Sequence, residues 1–256
     1  MRSIGYVVKL GILIAALAVT GCVSDGPKSA NSENPDAASQ RHIRLALKYI
    51  GSESRDLARV HLKKAAKYRS RSAQLDNAYA LLYQSEREFK LAEAHYKKAL
   101  ARDKKYTLAR YNFAAFLYNQ GRIEEARKQI KLVSEDLEYD RRAQAFYILG
   151  LTQSKMGDSQ LALQSFEKAT QLSSGFAPPF IEAAELYFQQ QDYPLCKLAL
   201  DRFRQLSEPT AQSLWLAVRL EDRFGNRDRA ASEGLKLKNM FPYSRENLAY
   251  QAWLKQ

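Results

Sequence analysis

The chain has 256 residues and 46% apolar content, enough material for a continuous core in one or two domains. Its 40 Lys and Arg against 28 Asp and Glu give a formal net charge of +12. Two cysteines, Cys22 and Cys196, exclude a disulfide framework, and three scattered histidines, His42, His61 and His95, show no metal-ligand spacing.

Residues 1–21 carry Arg2 and Lys9, then an apolar run over 10–19 that is too short to span a bilayer. The ending Val19-Thr20-Gly21-Cys22 resembles a bacterial lipoprotein signal. That resemblance implies cleavage before Cys22, lipidation of Cys22 and a mature chain beginning there. Val23 follows Cys22, where the lipoprotein sorting pattern uses Asp to retain a protein in the inner membrane. The resemblance therefore implies the periplasmic face of the outer membrane. Several acyl chains, at about 0.8 kcal/mol per buried CH₂, give stable anchoring. The stretch 22–38 is small, polar and interrupted by Pro27 and Pro35. It reads as the lipidated N-terminus and a flexible tether with a reach of roughly 20–25 Å.

From residue 39 onward small residues recur in register as Ala58, Ala92, Ala126, Ala162, Cys196 and Ala230, spaced 34, 34, 36, 34 and 34 apart. Twelve residues upstream of each stand Ala46, Ala80, Ala114, Gly150, Ala184 and Val218. A turn glycine recurs as Gly121, Gly157 and Gly225. In the stretch 150–169, Ala162, Phe166 and Ala169 share one helical face after the glycine turn. The pattern resembles the tetratricopeptide repeat, a helix–turn–helix unit that packs only on its neighbours. The predicted fold is all-α: a superhelical solenoid of six repeats over 39–72, 73–106, 107–140, 143–176, 177–210 and 211–244, with a capping helix at 245–256. Leu248, Ala249, Ala252 and Trp253 are predicted to form the packing face of the cap. The two residues inserted after the third repeat would bend the superhelix or separate two halves. Cys196 stands where other repeats carry Ala and reads as a small buried residue.

The first repeat holds ten Lys and Arg against Glu53 and Asp56. Arg55, Arg59, Lys63 and Lys67 recur every four residues on one helical face. That stripe is either a solvated surface or a docking surface for an acidic partner segment or anionic lipid. Nucleic acid is not expected as a partner of an exported chain. No phosphate loop, HExxH or GxSxG occurs, so neither catalysis nor a cofactor or metal is expected. In this repeat class the first helices line a concave groove. By that register the groove residues are Ile43, Leu47, Ile50, Asn77, Leu81, Gln84, Tyr111, Asn112, Ala115 and Tyr118. They would hold a peptide or helix, unless they pack between neighbouring repeats instead.

The stretches YNFAAFLYNQGRIEEA (111–126), ILGLTQSKMGDSQLALQSFEKA (148–169) and SLWLAVRLEDRFGNRDRAASEGLKLKNMFP (213–242), with the lengthened third junction, resemble the PilF/PilW family of type IV pilus biogenesis lipoproteins. The last stretch is the most specific, through Leu216, Arg219 and Leu220 and the ending Phe241-Pro242. The resemblance covers essentially the whole mature chain. It implies a non-enzymatic pilotin, monomeric, that binds the pilus secretin and promotes its outer-membrane localisation and multimerisation. A scaffold lipoprotein of cell-envelope or peptidoglycan assembly would use the same parts.

Overall fold

A computed structural model of the chain describes residues 34–255. The signal, Cys22 and most of the expected tether lie outside the described residues. Thirteen α-helices fill the described part, with no strand among those residues. They form six antiparallel pairs: α1 (Pro35–Gly51) with α2 (Arg55–Tyr68), α3 (Ala73–Ser85) with α4 (Phe89–Arg102), α5 (Thr107–Asn119) with α6 (Ile123–Glu135). The series continues with α7 (Arg142–Lys155) and α8 (Ser159–Leu172), α9 (Pro178–Gln189) and α10 (Tyr193–Leu206), α11 (Ala211–Arg223) and α12 (Arg227–Met240). A last helix, α13 (Arg245–Trp253), closes the array. The fold is the tetratricopeptide solenoid that the 34-residue period predicts.

The recurring small residues bring the two helices of each pair together. Ala58, Ala92, Ala126, Ala162 and Cys196 are fully buried, and Ala230 nearly so. Burial of Cys196 pushes its thiol up to about 12, as an inert core residue requires. Large side chains fill the space between pairs: Leu62, Tyr96, Ile130 and Phe166 are all within 1% of complete burial. Each such side chain contributes on the order of 1.5–3 kcal/mol. The core is a chain of clusters, each joining one repeat to the next or to the cap. Leu62 of α2 packs with Leu75 and Leu82 of α3, and Leu200 and Phe203 of α10 pack with Leu216 and Leu220 of α11.

Gly150 is indispensable for a steric reason. A Cβ there would lie 2.5 Å from Cε1 of Phe166. The turn glycines also do what the pattern predicts, with φ of 73° at Gly121, 87° at Gly157 and 74° at Gly225. The same turn position in the other three repeats is held by Glu53, Arg87 and Gln191, at φ of 59°, 62° and 61°. The left-handed turn is thus common to all six repeats, and three of them adopt it with a side chain that disfavours it.

Three expectations need correction. First, the folded domain begins four residues inside the stretch 22–38 that was read as tether. Asn34 caps α1 by accepting a hydrogen bond from Asp36 N at 2.9 Å, and Pro35 occupies the first helical turn, where its missing N–H costs nothing. Ala38 and Ser39 are buried, and Ser39 Oγ donates to the Ala65 carbonyl at 3.2 Å. Second, of the two outcomes expected for the residues inserted after the third repeat, separation into two halves does not occur. α6 packs directly on α7, with Ile130 and Val133 against Ile148 and Leu149. Arg142 Nε donates to the Ser134 carbonyl at 3.2 Å across the longer loop. Third, the cap packs by a different face. Leu248, Ala249 and Ala252 are exposed, while Asn247 and Tyr250 are buried and Trp253 packs beside them. The reason is Gly234 on α12, whose missing side chain admits the Tyr250 ring.

Candidate partner-binding groove

The packing identifies the concave side. Each first helix touches the next first helix, α1 to α3, α3 to α5, α5 to α7, α7 to α9 and α9 to α11. The backbones of successive second helices stand apart, and α10 meets α12 only by reach of long side chains, Arg204 Nη2 lying 2.9 Å from Glu233 Oε2. The first helices are therefore crowded on the inner face of a curved array, and the second helices fan apart on the outer face.

The N-terminal part of this groove is drier than the register predicts. Ile43 is 3% exposed and packs between α1, α2 and α3, so it is core and not groove lining. Asn77 is 2% exposed, and its Oδ1 accepts a hydrogen bond from Asn112 Nδ2 at 3.0 Å. This pair ties α3 to α5 and satisfies two polar groups that would otherwise be buried alone. Leu47, Ile50, Leu81 and Ala115 are half-buried, their outer faces available from the groove. Gln84 is committed to Tyr96, whose hydroxyl donates to its Oε1 at 2.8 Å. Tyr111 stacks obliquely on Tyr139 with ring centres 6.0 Å apart.

The C-terminal part opens into a cleft of about 630 Å³ that sequence register did not single out. It lies between α5, α7 and α9. Tyr118, Tyr147, Leu151 and Leu186 supply its apolar walls, and Ser154, Lys155, Glu182, Glu185 and Gln189 its polar ones. Burial raises the pKa of Glu182, with Glu185 adding to the effect and a hydrogen bond to Gln212 opposing it. Burial likewise raises Tyr147 and Tyr118, with Glu182 adding to both. Only Tyr118 of this set was among the predicted groove residues. The rest stand on α7 and α9, the fourth and fifth first helices, and their convergence depends on how those helices stack.

The basic stripe divides. Arg55, Lys63 and Lys67 are exposed. Arg59 instead reaches the next repeat, where its Nη2 donates to Glu86 Oε1 and its guanidinium lies 5.9 Å from the Tyr83 ring centre. It is an inter-repeat tie, and only three members of the stripe face solvent. On the outer side of the array a smaller apolar cleft of about 250 Å³ lies between α8, α9 and α10, with Leu198 67% exposed at its rim.

The histidines are not scattered in space. His42 Nδ1 and His61 Nδ1 stand 3.0 Å apart, flanked by the rings of Tyr68 and Tyr49. His95 Nδ1 lies 2.9 Å from Asp76 Oδ1, in a unit with Arg102. Both contacts join residues 19 apart, the offset at which the two helices of a pair face each other. Among the described residues no group of three or more His, Cys, Asp or Glu is arranged to hold a metal ion.

Two tetratricopeptide repeat family models match the chain, over residues 83–147 and 143–176. The type IV pilus assembly protein PilF of Pseudomonas aeruginosa is 35% identical over 243 residues, covering 94% of this chain and 96% of that protein. The chain belongs to the PilF/PilW family. A solved structure described as the functional characterisation of Pseudomonas aeruginosa PilF superposes with a TM-score of 0.80 at 36% identity, over 85% of this chain and 98% of that one. PilW, described as a widely conserved type IV pilus biogenesis factor, superposes with a TM-score of 0.75 at 20% identity, over 83% and 98%, and shares the fold. As a PilF/PilW member the chain is a tetratricopeptide repeat protein of type IV pilus biogenesis. The groove thus sits in a protein whose repeat class works by binding other proteins.

Proposed function

We propose that this protein is a pilotin: a non-enzymatic lipoprotein of the outer membrane that binds the pilus secretin and promotes its localisation and multimerisation there. The observation that carries the reading is the match to PilF over nearly the whole length of both chains. The sequence ending Val19-Thr20-Gly21-Cys22, followed by Val23, supports the lipid anchor at Cys22 and the outer-membrane address. The mechanism is physical. The lipid at Cys22 holds the solenoid at the membrane. The groove holds a secretin segment. Capturing subunits on a membrane-held scaffold raises their local concentration, which drives assembly without a covalent step.

The test is secretin assembly in a deletion strain, read as multimer against monomer on a mild-detergent gel with inner and outer membranes separated. Loss of outer-membrane multimers, restored by the intact gene and not by Cys22→Ala, is the expected result. Normal multimers in the outer membrane would overturn the reading in favour of a scaffold in envelope or peptidoglycan assembly.

A further inference from the structure

The cleft between α5, α7 and α9 holds a carboxylate that no ion pair neutralises. Glu182 of α9 lines the cleft together with Tyr118 of α5 and Tyr147 of α7 and acts electrostatically on both, and among the described residues it has no ion-pair partner. Its neighbour Glu185 is committed to Arg219. Lys155 lines the same cleft and its charge favours the ionised form of Glu182, but it is exposed and forms no ion pair with that carboxylate. A half-buried carboxylate that is not neutralised is costly, and the cost is recovered when a cation arrives.

We propose that this cleft receives an arginine or lysine side chain from a segment of the partner protein, held by Glu182 between the rings of Tyr118 and Tyr147. The inference deepens the partner-groove reading and rests on it for the identity of the segment.

Three residues along α9, at its junction with α11, the chain shows the same chemistry already satisfied. There Glu185 receives both hydrogen bonds from Arg219 Nη2, at 2.7 and 2.9 Å. The guanidinium carbon of Arg219 lies 4.7 Å from the Phe188 ring centre and 5.3 Å from that of Trp215. A carboxylate flanked by two aromatic faces is a cation receptor, because the carboxylate supplies the counter-charge and the rings their negative faces. At Glu182 the carboxylate and the two rings are present, and the chain supplies no arginine. The cleft opens on the concave face and its volume admits a long side chain with part of its backbone. Leu151 and Leu186 give the aliphatic stem an apolar wall.

The experiment is a methyl NMR titration of the purified full chain in detergent, with labelled leucines, at low salt. The probe is Ac-Ala-Arg-Ala-NH₂, and the control is the same peptide with neutral citrulline in place of arginine. The leucine methyls of Leu151 and Leu186 are expected to shift saturably with the arginine peptide, and at least roughly tenfold less tightly with citrulline. Glu182→Gln, which keeps the side-chain shape, is expected to weaken the arginine peptide by a similar factor. Glu182→Lys, which brings its own ammonium into the cleft, is expected to abolish the response. Circular dichroism checks that both variants keep their helical content. Equal response to the two peptides, equal affinity in wild type and Glu182→Gln, or no shift at Leu151 and Leu186 would each overturn the proposal. No secretin enters this assay, so such a result leaves the pilotin reading standing. Normal multimers in the deletion strain would remove that reading and leave the measured preference of the cleft intact.

Discussion

Arg219 of α11 reaches back across a repeat boundary to Glu185 of α9, 34 residues earlier, and its Nη2 donates to both carboxylate oxygens. Its guanidinium also lies over the rings of Phe188 and Trp215, 4.7 and 5.3 Å from their centres. The two side chains are about a fifth to a quarter exposed, so the pair is screened only in part. Arg219→Ala should therefore destabilise the C-terminal repeats by about 1–3 kcal/mol, combining lost charged hydrogen bonds with lost ring contacts. Arg219→Lys should recover only part of this, since an ammonium can meet the carboxylate but cannot lie flat against the rings as the planar guanidinium does. Urea unfolding of the two variants, followed by circular dichroism, measures both.

The turn residue of each repeat has a positive φ whether or not it is glycine. Gly157→Ala should destabilise the fourth repeat by about 1 kcal/mol, because φ of 87° disfavours any Cβ. The reverse change, Arg87→Gly or Gln191→Gly, should stabilise by a few tenths to about 1 kcal/mol, the gain being reduced by glycine's greater freedom in the unfolded chain. Thermal unfolding should move in opposite directions for the two kinds of variant.

The cap depends on one missing side chain. A Cβ at Gly234 would lie 2.1 Å from Cζ of Tyr250, and the hydroxyl is as close. Gly234→Ala should push α13 off α12 at a cost of about 1–3 kcal/mol, as overpacking does elsewhere. Both tryptophans, Trp215 and Trp253, pack around Tyr250 with ring centres 6.2 and 6.1 Å away. Intrinsic fluorescence should therefore shift to longer wavelength in Gly234→Ala at temperatures where the rest of the helical signal is unchanged.

The first repeat should weaken in mild acid. Burial, then the charges of His61, Lys64 and Arg41, lower the pKa of His42 below the ordinary histidine value. The folded chain thus takes up this proton less readily than the unfolded one. The stabilising contribution is complete above the unfolded pKa of about 6.5 and is lost as pH falls through that value toward the lowered one. Protonating both rings would also break the 3.0 Å contact of His42 with His61, which needs one ring to accept. His42→Asn should show a smaller loss of melting temperature between pH 7.5 and pH 5.5 than wild type does. An equal loss in the two proteins would remove the His42 contribution.

Repeat number, helix pairing and the turn positions were legible in the sequence because they are local. Ala162 and Phe166 share a helical face by spacing alone, and a 34-residue recurrence of small residues leaves helix pairs little choice of partner. The family was legible too, and the structure gives one of its marks a reason: Arg219, singled out by resemblance, is the residue that locks the last two repeats together. What spacing could not reveal was which side chains meet across the curved inner face. Ile43 and Asn77 fit the groove register yet are buried, because adjacent first helices crowd there. Glu182, Tyr118 and Tyr147 come from three different repeats and converge only through the angle at which those repeats stack. The packing face of α13 was likewise decided by the space at Gly234 and not by the apolarity of Leu248 and Ala252. Periodicity in one chain fixes what lies on one helix face. Contacts between elements far apart in sequence depend on the rise and rotation from repeat to repeat, and those are set by the packed core.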